Sequence, residues 1–217
     1  MGFKDLVLRL NHLEVYEILN KFRHYKNFNE SIEWGGYEDK LVTTTTYSDS
    51  IIIYSKDDSF ASLEAFSCTI SGLIEDLFFQ NIPFKGAVAF GPMTLDTQRS
   101  IFFGQPLIDS YLLQEELNFY GIIVHATAEK EISQHAQKIR TLFLMKYLCP
   151  LKGGSSYHLT IYPMCIDPFD DAKVTEEDYN KLFNSVDNFR HMTSGHLRKY
   201  IDNTEVYLKY VRENLKI

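Results

Sequence analysis

Tryptophan is nearly absent from this 217-residue chain, and so is cysteine: one Trp and three Cys. The cysteines Cys68, Cys149 and Cys165 are odd in number and far apart. That spacing fits neither a disulfide framework nor a zinc site, and it points to a reducing compartment. Basic residues are outnumbered, 22 Lys and Arg against 29 Asp and Glu, for a formal net charge of -7. A protein that coats nucleic acid is normally basic, so that class is disfavoured, although one nucleotide could still be held in a local basic pocket. No run is long and apolar enough to span a membrane, and no charged-then-apolar leader opens the chain. The expectation is a cytoplasmic protein with no nucleic-acid and no membrane partner. The seven histidines show no metal-ligand spacing, and no Walker loop, dinucleotide fingerprint or nucleophile elbow occurs.

What is present is enough apolar sequence, 45%, for a full core in one domain. "NHLEVYEILNKF" predicts a helix, with Asn11 and Glu14 at capping-box spacing. "KLVTTTTY" and "SIIIYS" predict a hairpin. "SLEAFSCTISGLIEDLFFQ" predicts a helix capped by Ser59 or Ser62 and ended by Pro83. Strands are expected at "FKGAVAFG", "SIFFG", "IIVH" and "SYHLTIYPMCI". Between them lie a helix with Pro106 at its first position and Gly121 past its end, and a helix capped by Thr127. Two helices close the chain. The fold class is therefore α+β, a sheet with helices packed on it.

Three stretches could carry chemistry. Asp49 stands in the hairpin turn among β-branched residues; it is either a turn residue or a ligand. Lys85 precedes a glycine on a strand, where it either snorkels or meets a phosphate. Gly86 and Gly91 permit a close approach by backbone or ligand. Gly104 leads from strand into helix, a place where free N–H groups can bind phosphate. "EWGGYEDK" reads as an ordinary Gly-Gly turn.

Taken in order, "TYSDSIIIYS", "FKGAVAFG" and "IFFGQPLIDSYLLQEEL" resemble the core of class III nucleotidyl cyclases, most of all the bacterial branch that includes the Pycsar pyrimidine cyclases. The likeness covers roughly residues 1–165, with 166–217 as a helical extension of the same domain. It implies a ferredoxin-like cyclase sheet and a homodimer with active sites at its interface. It also implies Mn²⁺ or Mg²⁺ and conversion of CTP or UTP to a cyclic nucleotide plus pyrophosphate in antiphage defence. In that family two aspartates hold two cations, because hard cations prefer oxygen ligands and two can serve both the attacking and the leaving oxygen. Asp49 matches the second aspartate, Lys85 a triphosphate contact and Gly104 the Gly-led turn. Met1-Gly2-Phe3 resembles the end of the phrase that carries the first aspartate, with Gly2 and Phe3 as substrate-binding positions. The expectation is that the gene extends upstream and supplies that strand; Asp5 falls after the turn.

Where the purine enzymes carry an Asn and an Arg on the following helix, this chain has Ile108 and Leu112. Where they read the base with a Lys and an acid, it has Thr45 and Ile101. Thr45 and Tyr47 share a strand face and would select a smaller base. The alternative is an inactive cyclase-like module for nucleotide binding or dimerisation.

Overall fold

The four consecutive threonines and the triple isoleucine are β-branched, stiff at χ1 and suited to a pleated surface. In the computed structural model they form strands β1 (Val42–Tyr47) and β2 (Ser50–Ser55). The two pair antiparallel from Val42↔Ser55 to Tyr47↔Ser50. Residues 41–47, 50–96, 99, 101–135, 142–163 and 176–215 are described. The chain divides into two compact units, residues 1–70 and 71–217. The expected first helix, Gly2, Phe3, Asp5 and Asp49 lie outside the described residues.

Helix α1 (Phe60–Phe79) begins where the side chains of Asp57 and Ser59 take up its free N–H groups. Ser59 Oγ accepts from the Ser62 amide at 3.2 Å, and Asp57 Oδ1 accepts from the Ser59 amide and both hydroxyls. Those bonds, first from Ser59 and then from Ser62, hold the Asp57 carboxyl down at about 2. The helix stops on Asn81, not on Pro83. Asn81 is left-handed (φ 56°), its N–H bonds the Phe78 carbonyl, and the Ile82 N–H reaches back to Leu77. This is a Schellman closure with asparagine in the place usually taken by glycine.

In the second unit, β3 (Lys85–Val88), β6 (Gly121–Val124), β8 (Gly154–Ile161) and β7 (Leu144–Leu151) form one sheet in the order β3-β6-β8-β7. β3 and β6 run parallel and the other pairs antiparallel. Parallel neighbours need a crossover, here the hairpin β4 (Thr94–Asp96) and β5 (Ile101–Phe103), then α2 (Gln105–Glu116). The architecture is mixed α+β, as the sequence indicates.

Strand β7 was not expected, and it pairs along its whole length with β8. Gly121 is no helix cap. It is the first residue of β6, where a Cβ would run into the Phe119 ring. Helix α3 (Ala126–Ser133) is capped by His125, not Thr127, and Pro106 is the second residue of α2. No helix among the described residues is long and apolar enough to cross a membrane.

Of the closing helices α4 (Glu176–Met192) and α5 (Arg198–Leu215), α5 packs on β7 of the sheet and α4 packs against α5. Tyr207 of α5 is buried against Phe119 and Tyr147, ring centroids 5.2 and 5.0 Å away. Phe189 of α4 meets Phe78 and Tyr120. Between the two helices Arg190 bonds Asp202 and Glu205, each at 2.7 Å.

Candidate functional site

Lys85 opens β3 and pairs with Gly121. Its ammonium stands 5.7 Å from the centre of the Tyr200 ring on α5. Burial pulls its pKa below the usual lysine value, Glu115 at the end of α2 pulls it back up, and Lys152 pushes it down. Lys152 pairs with Glu115 at 3.6 Å, and its N–H bonds the Glu116 carbonyl. Lys85 therefore belongs to a charged cluster at the carboxyl end of α2.

Gly104 stands at the opposite end of the same helix. Twelve residues at 1.5 Å each separate the two ends by about 18 Å. The two residues expected to share one triphosphate do not converge. Thr45 and Tyr47 lie on β1 in the first unit; Thr45 pairs with Ile52, and Tyr47 with Ser50.

The glycines have local reasons. A Cβ on Gly104 would come within 2.7 Å of the Pro92 carbonyl oxygen and 3.0 Å of Met93 Cα, both backbone atoms that cannot swing away. The space beside Gly86 is filled by Ile122, and that beside Gly91 by Pro106. Gly104→Ala is expected to cost about 2 kcal/mol through this overlap, measured as a lower urea midpoint with an unchanged slope. A variant as stable as the parent would leave the glycine without its packing role.

Sequence reasoning passed over His125. It directly follows β6 at the carboxyl edge of the two parallel strands, and its N–H bonds the Val88 carbonyl at 2.7 Å. Its Nδ1 accepts from the Thr127 amide at 3.3 Å, lies 2.9 Å from Thr127 Oγ1, and stands 4.0 Å from Asp109 Oδ2. Thr127 Oγ1 also accepts from the Phe90 amide at 3.1 Å. Asp109 Oδ1 takes a bond from Gln105 at 2.7 Å. Because Nδ1 accepts, the proton of the neutral ring belongs on Nε2, an assignment made from the bonding pattern. The cluster fastens the starts of α2 and α3 to the strand ends. The signal available in the sequence was a histidine directly after the apolar run "GIIV".

No family model matches the chain, and no curated protein or solved structure is significantly similar to it.

In open sheets with parallel strands, ligands bind outside the carboxyl ends of those strands. That edge here carries Gly91, Gly104, Gln105, Asp109 and His125, with two helix starts whose dipoles favour an anion. Cys149 offers no nucleophile there. It is fully buried in β7, and burial pushes its thiol up to about 12. Among the described residues no three His, Cys, Asp or Glu side chains gather as a metal site.

Proposed function

We propose that this chain is a nucleotidyl cyclase of the class III type that takes a pyrimidine nucleoside triphosphate. The order of elements carries the reading. A β1–β2 hairpin, between whose strands Asp49 falls in the sequence, is followed by a βαβ unit whose crossover passes through Gly104 into α2. The finer parts of the proposal are the ferredoxin-like sheet and the Mn²⁺ or Mg²⁺ requirement. Divalent cations would supply Lewis acidity toward the α-phosphate. Of the described residues, the Gly104 end suits the triphosphate better than Lys85, whose ammonium is engaged with Tyr200 and stands near Glu115. Gln105 and His125 carry polar hydrogens there, and the starts of α2 and α3 direct their free N–H groups toward the same edge. Thr45 in place of a purine-reading lysine supports a smaller base.

One observation favours a second reading, a nucleotide-binding module without turnover. Ile108 and Leu112, where purine cyclases carry their charge-stabilising Asn and Arg, are exposed apolar side chains on α2.

The test is incubation of the protein with each of the four ribonucleoside triphosphates and Mn²⁺, scored for pyrophosphate and a cyclic product. The expected result is product from CTP or UTP alone, reduced at least about 100-fold in Asp49→Asn. Saturable triphosphate binding without product selects the binding module. Neither binding nor product overturns both readings.

A further inference from the structure

Glu75 breaks the apolar run "GLIEDLFF" in the second half of α1. Leu73, Ile74, Leu77 and Phe78 of that run are buried, and Glu75 is half-buried. Among the described residues its carboxyl makes no hydrogen bond and no ion pair. The charged groups it faces are Asp76 on its own helix and Asp178 and Lys181 on α4. Lys181 is already engaged, 3.3 Å from Glu177 and 3.4 Å from Asp178. One ammonium therefore serves a neighbourhood of four carboxyl groups.

Further along, the same two helices are joined without charge. Phe78 meets Phe189, ring centroids 6.4 Å apart, and Asn188 donates to Asn81 Oδ1 at 2.9 Å. α4 has a separate hold on α5. Arg212 bonds Glu176 at 3.2 Å and lies 5.0 Å from the centre of the Tyr179 ring, and Arg190 bonds Asp202 and Glu205. All of these residues belong to the second unit.

We propose that the contact between Glu75 and the start of α4 is a clasp that acid tightens: with a proton on Glu75 the two helices close on each other, and without it they part while α4 stays on α5. A protonated carboxyl brings no charge into the seam. An ionised one is held half-buried beside Asp76 and Asp178, and a charge so placed is costly unless it is paired. Parting the helices returns it to water.

The direction follows from linkage. In the closed form burial, then Asp76 and Asp178, raise the carboxyl to about 7; in the parted form it titrates near 4.5. Below pH 4.5 both forms hold the proton and the clasp is tightest. Between 4.5 and 7 the parted form loses its proton first, so opening becomes easier as pH rises. Above 7 both forms are ionised and the change is complete. Phe78 on the seam also contacts Phe84, ring centroids 5.0 Å apart, the residue before Lys85 and β3. The clasp thus borders the strand that opens the βαβ unit. The inference stands whether or not the chain is a cyclase.

The test is amide hydrogen exchange of the whole chain at pH 5 and pH 8, corrected for the intrinsic pH dependence of exchange, with and without low urea. The chains compared are the parent, Glu75→Gln and Asp178→Asn. In the parent, opening at amides 180–185 of α4 is expected to rise about 50-fold or more from pH 5 to pH 8. That opening should exceed the opening at amides 204–211 of α5 and be indifferent to low urea, the mark of a local event. Glu75→Gln should remove the pH dependence, and Asp178→Asn, which takes one charge from the seam, should reduce it. A parent whose 180–185 amides open equally at both pH values overturns the proposal. So does a glutamine variant that keeps the parent's rise, or an Asp178→Asn rise as large as the parent's. Amides 180–185 that share the rate and urea dependence of 204–211 would open only with the whole domain, which also overturns it.

Discussion

Tyr207→Ala is expected to destabilise the protein by about 4 kcal/mol, the range measured for emptying a large buried site. Tyr207 is 1% exposed. Its ring closes an aromatic cluster with Phe119 and Tyr147. Its hydroxyl lies 3.2 Å from both Thr160 Oγ1 and the Ile161 carbonyl oxygen, so the one hydrogen is shared between them. Truncation opens a cavity between α5 and the sheet and withdraws that donor. Small changes of this kind matter because a domain is stable by only about 5–15 kcal/mol in total. At this chain length the midpoint should fall by about 8–16 °C. Tyr207→Phe separates the two contributions. It keeps the ring and removes the hydroxyl, for about 1 kcal/mol. Urea melts followed by circular dichroism read both. If α5 were an appendage loosely attached to the sheet, Tyr207→Ala would leave the main transition where it was.

Elements whose periodicity was strong and whose ends carried punctuation were legible in the sequence. The β1–β2 hairpin announced itself through β-branched runs, and α1 through Leu63, Phe66, Ile70, Leu73 and Leu77 at helical spacing. The two closing helices were equally clear. β7 escaped because "LMKYLCPL" contains Pro150, which normally argues against a strand. The sheet order explains the exception: among the described residues β7 is an outer strand, and its outer edge carries no ladder, only the isolated bridge Leu117↔Leu151. Its alternation was in the sequence all the same, with Tyr147 and Cys149 buried and Lys146 and Leu148 exposed. So was the turn, since Leu151 pairs with Gly154 across Lys152 and Gly153.

The candidate site was legible as a set of residue types but not as a place. Lys85 and Gly104 are close enough in sequence to suggest one anion site. In a βαβ unit, however, the start of the strand and the start of the crossover helix fall at opposite ends of the layer. Connection geometry, not spacing, decides which residues meet. His125 was invisible for the converse reason. Asp109, itself bonded by Gln105, comes from another helix, and Phe90, whose amide bonds Thr127, from the far side of the crossover.

Glu75→Gln is expected to stabilise the protein at pH 8 and to leave it unchanged at pH 4. Glu75 lies on the second half of α1, and burial, then Asp76 and Asp178, raise its carboxyl to about 7, with Lys181 acting in opposition. In the unfolded chain the same group titrates near 4.5. Below pH 4.5 both states hold the proton and folding meets no penalty. As pH rises from 4.5 to 7 the unfolded chain releases its proton while the folded chain retains it, and stability falls. Above 7 the loss is complete, of order 3 kcal/mol for a shift of this size. Glutamine keeps the shape of the protonated acid and removes the titration, so the variant should show no decline between pH 4.5 and 7. Asp57 works with the opposite sign and in another window. Its lowered carboxyl stabilises the start of α1 above pH 4, and that contribution is lost only as pH falls through about 2. Chemical denaturation at pH 4, 6 and 8 therefore isolates Glu75. A parent whose stability is flat across those values, or a glutamine variant that still declines, would show that the Glu75 proton does not govern the neutral range.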